Sequence, residues 1–142
     1  MPQRKASAVW EGGLKTGKGT FQGSSGAISG QYNFSSRFEE GVGSNPEELL
    51  AAAHAACFSM ALSGQLERNG TPPQRVETSA VCTVEKVGEG FKITTMKFKT
   101  RVSAAGLDAA KLQELANAAA QGCPVSQALK GNVNVQADVS LA

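Results

Sequence analysis

The spacing of hydrophobic and polar positions changes several times along the chain, and each change marks a predicted element. The first 45 residues carry short alternating runs separated by segments rich in Gly and Ser. Alternation with period two is typical of half-buried strands, and Gly-Ser clusters are typical of turns. The pattern therefore predicts a meander of three short strands, at residues 7–11, 18–22 and 31–38, with Tyr32, Phe34 and Phe38 on one parity of the third.

A long helix is predicted from residue 46 onward. Asn45 suits the N-cap, Pro46 suits the first turn, and Glu48 can return a hydrogen bond to the cap. Apolar and small residues then occupy most sides of the segment until Asn69-Gly70 ends it. A helix that is apolar all round is buried all round, and in a chain this small such burial indicates a partner subunit.

The C-terminal half of the chain predicts a hairpin, two helices and a last strand. The predicted strands are 74–87, 91–102 and 132–141, and the predicted helices are 109–121 and 124–130. A change of parity in the second strand indicates a bulge or two covered faces. Because the element order is not a strict alternation of strands and helices, it favours an α+β fold. No linker or repeat divides the chain, so residues 1–142 are predicted to form a single domain.

The composition is that of a globular chain without a strong charge. Of 142 residues, 41% are hydrophobic and 18% charged, and 14 basic against 12 acidic residues give a net charge of +2. A nucleic-acid partner is not expected, because it would need a basic patch and aromatic platforms. The first ten residues lack the apolar run of a secretory signal. The most apolar stretch, 49–64, contains His54 and two serines, so we expect a buried helix, no membrane partner and a cytoplasmic location.

The three cysteines are the main candidates for chemistry, since an odd, sparse set is a poor disulfide scaffold. Cys82 lies on an alternating strand and is predicted to fill the core. Cys57 lies in the middle of the long helix, whereas Cys123 precedes a helix start, where the helix dipole lowers the pKa of a thiol. A metal is not expected, because there is no second histidine and no C-x-x-C. His54 and Cys57 share a helix face, so an acyl-transfer pair stays open as an alternative.

Three segments together resemble the family of osmotically inducible protein C and organic hydroperoxide resistance protein. They are Asn45-Pro46-Glu47-Glu48-Leu49, Ala53-His54-Ala55-Ala56-Cys57-Phe58-Ser59-Met60-Ala61 and Gly122-Cys123-Pro124-Val125-Ser126. The A-H-A-A-C-F motif, together with Arg37 shortly before N-P-E, resembles the osmotically inducible branch of this family. The resemblance implies an intertwined homodimer of the α+β class whose active sites lie at the interface.

The same resemblance implies a thiol peroxidase that uses two cysteines and no metal, haem or other cofactor. Carried over by position, Cys57 would be the peroxidatic thiol, Cys123 the resolving thiol, Arg37 the active-site arginine and Glu47 its partner. The implied substrates are organic hydroperoxides, with hydrogen peroxide poorer, and the implied reductants are dithiols, including lipoyl-type carriers. A non-enzymatic dimer that senses redox state or binds a ligand stays open as a further alternative.

The residue types suit this chemistry, because a thiolate breaks the O–O bond and a guanidinium stabilises the charge on the departing oxygen. Glu47 can hold that guanidinium in a bidentate pair. Glu47 and Cys57 are ten residues apart on one predicted helix, which corresponds to about 15 Å along its axis. If both residues serve one site, Glu47 comes most simply from the other subunit. This spacing predicts a dimer with composite sites.

Overall fold

The computed structural model describes residues 1–142 and has the predicted α+β architecture. Its elements are β1 (Ala6–Glu11), β2 (Lys18–Gly23), β3 (Ser29–Tyr32), α1 (Phe34–Phe38), α2 (Pro46–Arg68), β4 (Arg75–Val87), β5 (Gly90–Ser103), α3 (Ala109–Gly122), α4 (Pro124–Leu129) and β6 (Asn134–Leu141). The chain divides into two compact units, Met1–Leu49 and Leu50–Ala142. That residues 1–142 fold as one domain stays a prediction.

The first unit contains an antiparallel sheet in the order β1-β2-β3, which is the predicted meander. Its aromatic side chains gather around the middle strand: the ring centroid of Tyr32 lies 5.4 Å from that of Trp10 and 6.0 Å from that of Phe21. Gly19 lies beneath this cluster, and a Cβ atom there would come within 2.7 Å of both the Trp10 and the Tyr32 ring. The glycine is therefore required by the close approach of two aromatic rings.

The prediction of a third strand over residues 31–38 is wrong beyond Tyr32, because Phe34–Phe38 form the short helix α1. Asn33 caps this helix. Its side-chain oxygen accepts a hydrogen bond from the backbone amide of Ser36 at 2.7 Å, and its backbone amide donates to Ser36 Oγ at 2.9 Å. Phe34 and Phe38 also fit a helix, since residues four apart meet on one face and these rings lie 5.1 Å apart. This capping box places Arg37 on a helix rather than on a strand.

Helix α2 begins where the sequence predicts, and Asn45 Oδ1 accepts a hydrogen bond from the Glu48 amide at 2.7 Å. The Glu48 carboxylate, however, accepts from the Ser44 hydroxyl at 2.5 Å, in place of the predicted bond to the Asn45 amide. With a mean hydropathy of 1.4, α2 is long and apolar enough to cross a membrane. Core helices of globular proteins reach the same length and hydropathy.

Burial of α2 within the single chain is confined to one face. His54, Phe58, Leu62 and Leu66 on that face are completely buried, whereas Met60 on the opposite side is 81% exposed. The spacing of the buried residues follows the helical repeat of three to four positions. The remaining face of small and apolar residues is exposed in the single chain, so burial on all sides by a partner subunit stays a prediction.

The second unit contains a sheet in the order β4-β5-β6, in which β4 and β5 form the predicted hairpin. A register shift between Thr83 and Val84 confirms the expected bulge. Strand β6 adds to β5 in parallel, with Met96 opposite Val135. The inward-facing residues of β5 form the core with α2 and α3, and the members with the least exposure are Phe58, Leu62, Leu66, Met96, Val102, Leu112 and Ala119. This core fixes α2 beside the junction of α3 and α4.

Candidate active site

The structure brings Cys57 and Cys123 together, although 66 positions separate them in the sequence. Their sulfur atoms are 2.9 Å apart and share a hydrogen bond. Cys57 lies in the middle of α2 and is partly exposed, whereas Cys123 lies between α3 and α4 and is completely buried. The pair therefore joins one sulfur that a dissolved molecule can reach to one that it cannot reach.

Cys123 is the N-cap residue of α4, and its sulfur accepts a hydrogen bond from the Ser126 amide at 3.5 Å. Burial alone would raise the pKa of this thiol. The interactions of the Cys123 sulfur with Cys57, with the side chain and amide of Ser126 and with the amide of Val125 outweigh that effect and lower the pKa below its ordinary value. This direction agrees with the expectation for a thiol at a helix start.

The surroundings of Cys57 act in the opposite direction. Burial and the hydrogen bond to Cys123 raise the pKa of Cys57, and only the amide of Val125 opposes this shift. Access nevertheless favours Cys57 as the sulfur that meets a substrate, because it lines an open cavity of about 410 Å³. The cavity is lined by Cys57, Met60, Ala61, Gly64, Gln65, Arg68, Ala119, Gly122 and Pro124.

Cys82 lies apart from this pair, on β4 opposite Met96. Its half-buried side chain packs against the hydrophobic core, as expected for a core-filling cysteine. No group of three or more His, Cys, Asp or Glu side chains is arranged to hold a metal ion.

Arg37 and Glu47, the other two candidate residues, form an ion pair within the first unit. Arg37 Nε donates to Glu47 Oε1 at 2.9 Å, and the Glu47 side chain is only 6% exposed. The contact is made through one nitrogen, so the expected bidentate pair is not formed, and Glu47 Oε2 has no hydrogen-bond partner. Neither terminal NH₂ group of Arg37 donates a hydrogen bond to Glu47. The Arg37 guanidinium lies 5.0 Å from the Phe38 ring centroid.

An aromatic cavity of about 250 Å³ adjoins this arginine. Its lining consists of Trp10, Leu14, Tyr32, Asn33, Phe34, Arg37 and Phe38. The sequence placed Tyr32, Phe34 and Phe38 on one parity of a predicted strand and did not indicate this cavity. The shared parity of Tyr32, Phe34 and Phe38 was the one sequence signal that could have grouped these aromatic residues. Trp10 reaches the cavity through the pairing of β1 with β2, which the sequence does not show.

His54 is completely buried. Its Nε2 atom forms a hydrogen bond of 2.6 Å with Ser126 Oγ and not with Cys57. Its other ring nitrogen, Nδ1, has no hydrogen-bond partner, and the ring packs edge-on against Phe98 at 4.4 Å between centroids. Burial lowers the pKa of His54 below its ordinary value, which favours the neutral ring. The acyl-transfer alternative lacks the hydrogen bond between His54 and Cys57 that it needs. The partner role of Ser126 was not found from the sequence.

The family described as OsmC-like protein matches residues 39–138, and this chain therefore belongs to that family. The matched range includes Glu47, Cys57 and Cys123, while Arg37 lies just before it. The family assignment confirms the resemblance carried by the N-P-E, A-A-C-F and G-C-P-V-S segments.

Individual relatives agree with this assignment. The chain is 46% identical over 133 residues to peroxiredoxin OsmC of Escherichia coli (strain K12), covering 93% of each chain. It is 39% identical over 100 residues to organic hydroperoxide resistance protein OhrB of Bacillus subtilis (strain 168), covering 69% of this chain and 71% of that one. The crystal structure of an organic hydroperoxide resistance protein OsmC from Legionella pneumophila superimposes with a TM-score of 0.77 at 27% identity, covering 96% of each chain. These similarities confirm the fold class.

Proposed function

We propose that this protein is a thiol-dependent peroxidase that reduces organic hydroperoxides. The observation that carries the proposal is the contact of 2.9 Å between an accessible sulfur, Cys57, and a buried one, Cys123. Such a pair can take up two oxidising equivalents by closing a disulfide. The names of the relatives, peroxiredoxin and organic hydroperoxide resistance protein, support the same activity.

In the first step the Cys57 thiolate attacks one oxygen of the hydroperoxide. The O–O bond breaks, the alkoxide takes up a proton and leaves as the alcohol, and Cys57 is oxidised to a sulfenic acid. Because burial and Cys123 raise the pKa of Cys57, the thiolate needs a positive charge nearby. Arg37 is the proposed source of that charge, with Glu47 holding the guanidinium in place.

In the second step the Cys123 sulfur attacks the Cys57 sulfenic acid. The S–O bond breaks, water leaves, and a disulfide joins the two cysteines. A dithiol, of which lipoyl-type carriers are one class, then reduces the disulfide by thiol–disulfide exchange and returns both thiols. The cycle needs no metal or cofactor. It requires a reducing compartment, which is why we propose a cytoplasmic location.

The site is proposed to be completed in a homodimer. Ten residues of α2 separate Glu47 from Cys57, about 15 Å along the helix, and α2 leaves one apolar face open in the single chain. A partner chain that covers this face would supply its own Arg37–Glu47 pair to Cys57. Mixing Arg37→Met and Cys57→Ser protein tests this arrangement, because only a composite site restores activity in the mixed dimer. No recovery after subunit exchange would contradict it.

The function itself is tested by dithiol-dependent turnover of cumene hydroperoxide, with hydrogen peroxide as the comparison substrate. We expect sustained turnover, a preference for the organic peroxide and complete loss of activity in Cys57→Ser. Cys82→Ser is the matched control, since it removes a thiol that packs against the core. Oxidation of the two thiols without turnover would identify a redox sensor instead, and would overturn the peroxidase assignment.

A further inference from the structure

A series of contacts leads from a buried histidine to the two cysteines. His54 Nε2 lies 2.6 Å from Ser126 Oγ, the Ser126 amide donates to Cys123 Sγ at 3.5 Å, and Cys123 Sγ lies 2.9 Å from Cys57 Sγ. The Ser126 hydroxyl also contributes to lowering the pKa of Cys123. His54 comes from α2 and Ser126 from α4, so this hydroxyl connects the helix that carries Cys57 to the helix that Cys123 caps. Neither His54 nor Ser126 takes part in the two proposed reaction steps.

The orphaned ring nitrogen indicates which tautomer His54 adopts. A neutral imidazole carries one proton, and a proton on Nδ1 would be a buried donor without an acceptor. A proton on Nε2 is instead donated to Ser126 Oγ. With its oxygen accepting from His54, the Ser126 hydroxyl keeps its own hydrogen for another acceptor. The Cys123 sulfur, which the Ser126 amide contacts at 3.5 Å, is the acceptor at the same helix start.

We propose that His54 and Ser126 are positioning residues for the resolving step. The Nε2–H group of His54 holds the Ser126 hydroxyl so that its hydrogen points at Cys123, which keeps Cys123 as the attacking thiolate. This inference rests on the proposed peroxidase function. It assigns to the A-H-A-A-C-F and G-C-P-V-S segments one residue each whose role is to prepare the second cysteine rather than the first.

The step that the pair prepares is balanced. The Cys123 thiolate gives an electron pair to the Cys57 sulfur, the S–O bond breaks, and the departing hydroxide takes up one proton to become water. Cys123 is oxidised and the sulfenic sulfur of Cys57 is reduced, so both end as disulfide sulfurs. The Ser126 and His54 protons are not consumed. The titratable groups that face Cys123 are Cys57 and, through Ser126, His54.

Single-turnover kinetics with cumene hydroperoxide separate the two steps. We expect Ser126→Ala and His54→Phe to slow disulfide closure about tenfold, as for the loss of one hydrogen bond to a charged sulfur, and to leave the rate of peroxide consumption within about twofold. Mass spectrometry is expected to show more over-oxidised Cys57 at high peroxide. His54→Gln, which can keep a donor in place of Nε2, and Ser126→Thr, which keeps the hydroxyl, are expected to close the disulfide at nearly the wild-type rate.

Two measurements do not depend on peroxidase activity. His54 is the only histidine in the chain, so the ring signals of ¹⁵N-histidine report its tautomer without assignment, and we expect the proton on Nε2. In a Cys57→Ser background, thiolate absorbance is expected to show a higher pKa for Cys123 once Ser126 becomes alanine. A proton on Nδ1, an unchanged Cys123 pKa, or wild-type disulfide closure in Ser126→Ala and His54→Phe would overturn the inference. Failure of wild-type protein to turn over peroxide would instead overturn the proposed function alone.

Discussion

Replacing Arg37 by methionine separates the structural role of the Arg37–Glu47 pair from its proposed catalytic role. The change leaves the Glu47 carboxylate, 6% exposed and with Oε2 already unpartnered, without its cation. Breaking a fully buried ion pair costs about 3–5 kcal/mol. Because the Arg37 side chain is 39% exposed, water can reach the vacated space, and we expect a loss of about 2 kcal/mol in the free energy of unfolding.

The double variant Arg37→Met/Glu47→Gln completes a thermodynamic cycle. The double variant removes the buried charge together with its partner. We therefore expect its loss in the free energy of unfolding to be about 1 kcal/mol smaller than the sum of the losses in the two single variants. Peroxidase activity is not expected to recover, because the guanidinium is still absent, and a loss of about 100-fold is typical for one donor to a developing negative charge. Urea unfolding followed by circular dichroism, together with cumene hydroperoxide turnover, measures both quantities.

Arg4→Met is the matched control, since Arg4 is exposed and bonds only to the neighbouring Gln3 carbonyl. It is expected to change neither stability nor turnover. Additive effects on stability in the cycle would refute the buried-charge argument. Wild-type turnover in Arg37→Met, with the fold intact, would refute the assignment of Arg37 to the reaction.

Three further outcomes are expected. Closing the Cys57–Cys123 disulfide across 66 positions should raise the free energy of unfolding by about 4 kcal/mol. The oxidised protein should then have a higher urea midpoint than the reduced protein, and an equal midpoint would contradict this expectation. Since burial lowers the pKa of folded His54, the unfolded chain binds the proton more readily, so stability should fall as the pH drops below about 6.5. His54→Gln should flatten this dependence in urea titrations, and an equal slope would argue against the shift. Cys82→Ser should keep turnover within about twofold, and a folded but inactive variant would show that the cysteine roles are misassigned.

The parts of the fold that could be predicted are those encoded by neighbouring residues. The start of α2 follows from Asn45 and Pro46, and the break between α3 and α4 follows from Gly122-Cys123-Pro124. In these segments the capping residue, the helix former and the helix breaker all favour the same structure. Local agreement of this kind needs no knowledge of the rest of the chain.

Other features depend on a choice between two local patterns or on distant contacts. The aromatic parity of residues 32–38 indicated a strand, but the capping box of Asn33 and Ser36 favours a helix, and the placement of Arg37 changed accordingly. The parallel pairing of β6 with β5 joins segments with two helices between them. The bond between His54 and Ser126 spans 72 positions, and nothing local marks it.

The candidate site shows the same division. The family resemblance singled out both cysteines and Glu47 as candidates, since each lies in a short, contiguous motif. Arg37 lies outside these motifs and was a candidate only as the arginine shortly before N-P-E. The opposite pKa shifts of Cys57 and Cys123 could be foreseen only in part: the helix start beside Cys123 is local, whereas the burial that raises the pKa of Cys57 is a property of the packed unit.

The pairing of Cys57 with Cys123 is tested most directly by treating fully reduced protein with one equivalent of cumene hydroperoxide and mapping its disulfides by mass spectrometry. We expect the loss of two of the three thiols, a single disulfide between Cys57 and Cys123, and an unmodified Cys82. A sulfenic acid that persists at Cys57 while Cys123 stays reduced, or a disulfide that includes Cys82, would contradict it.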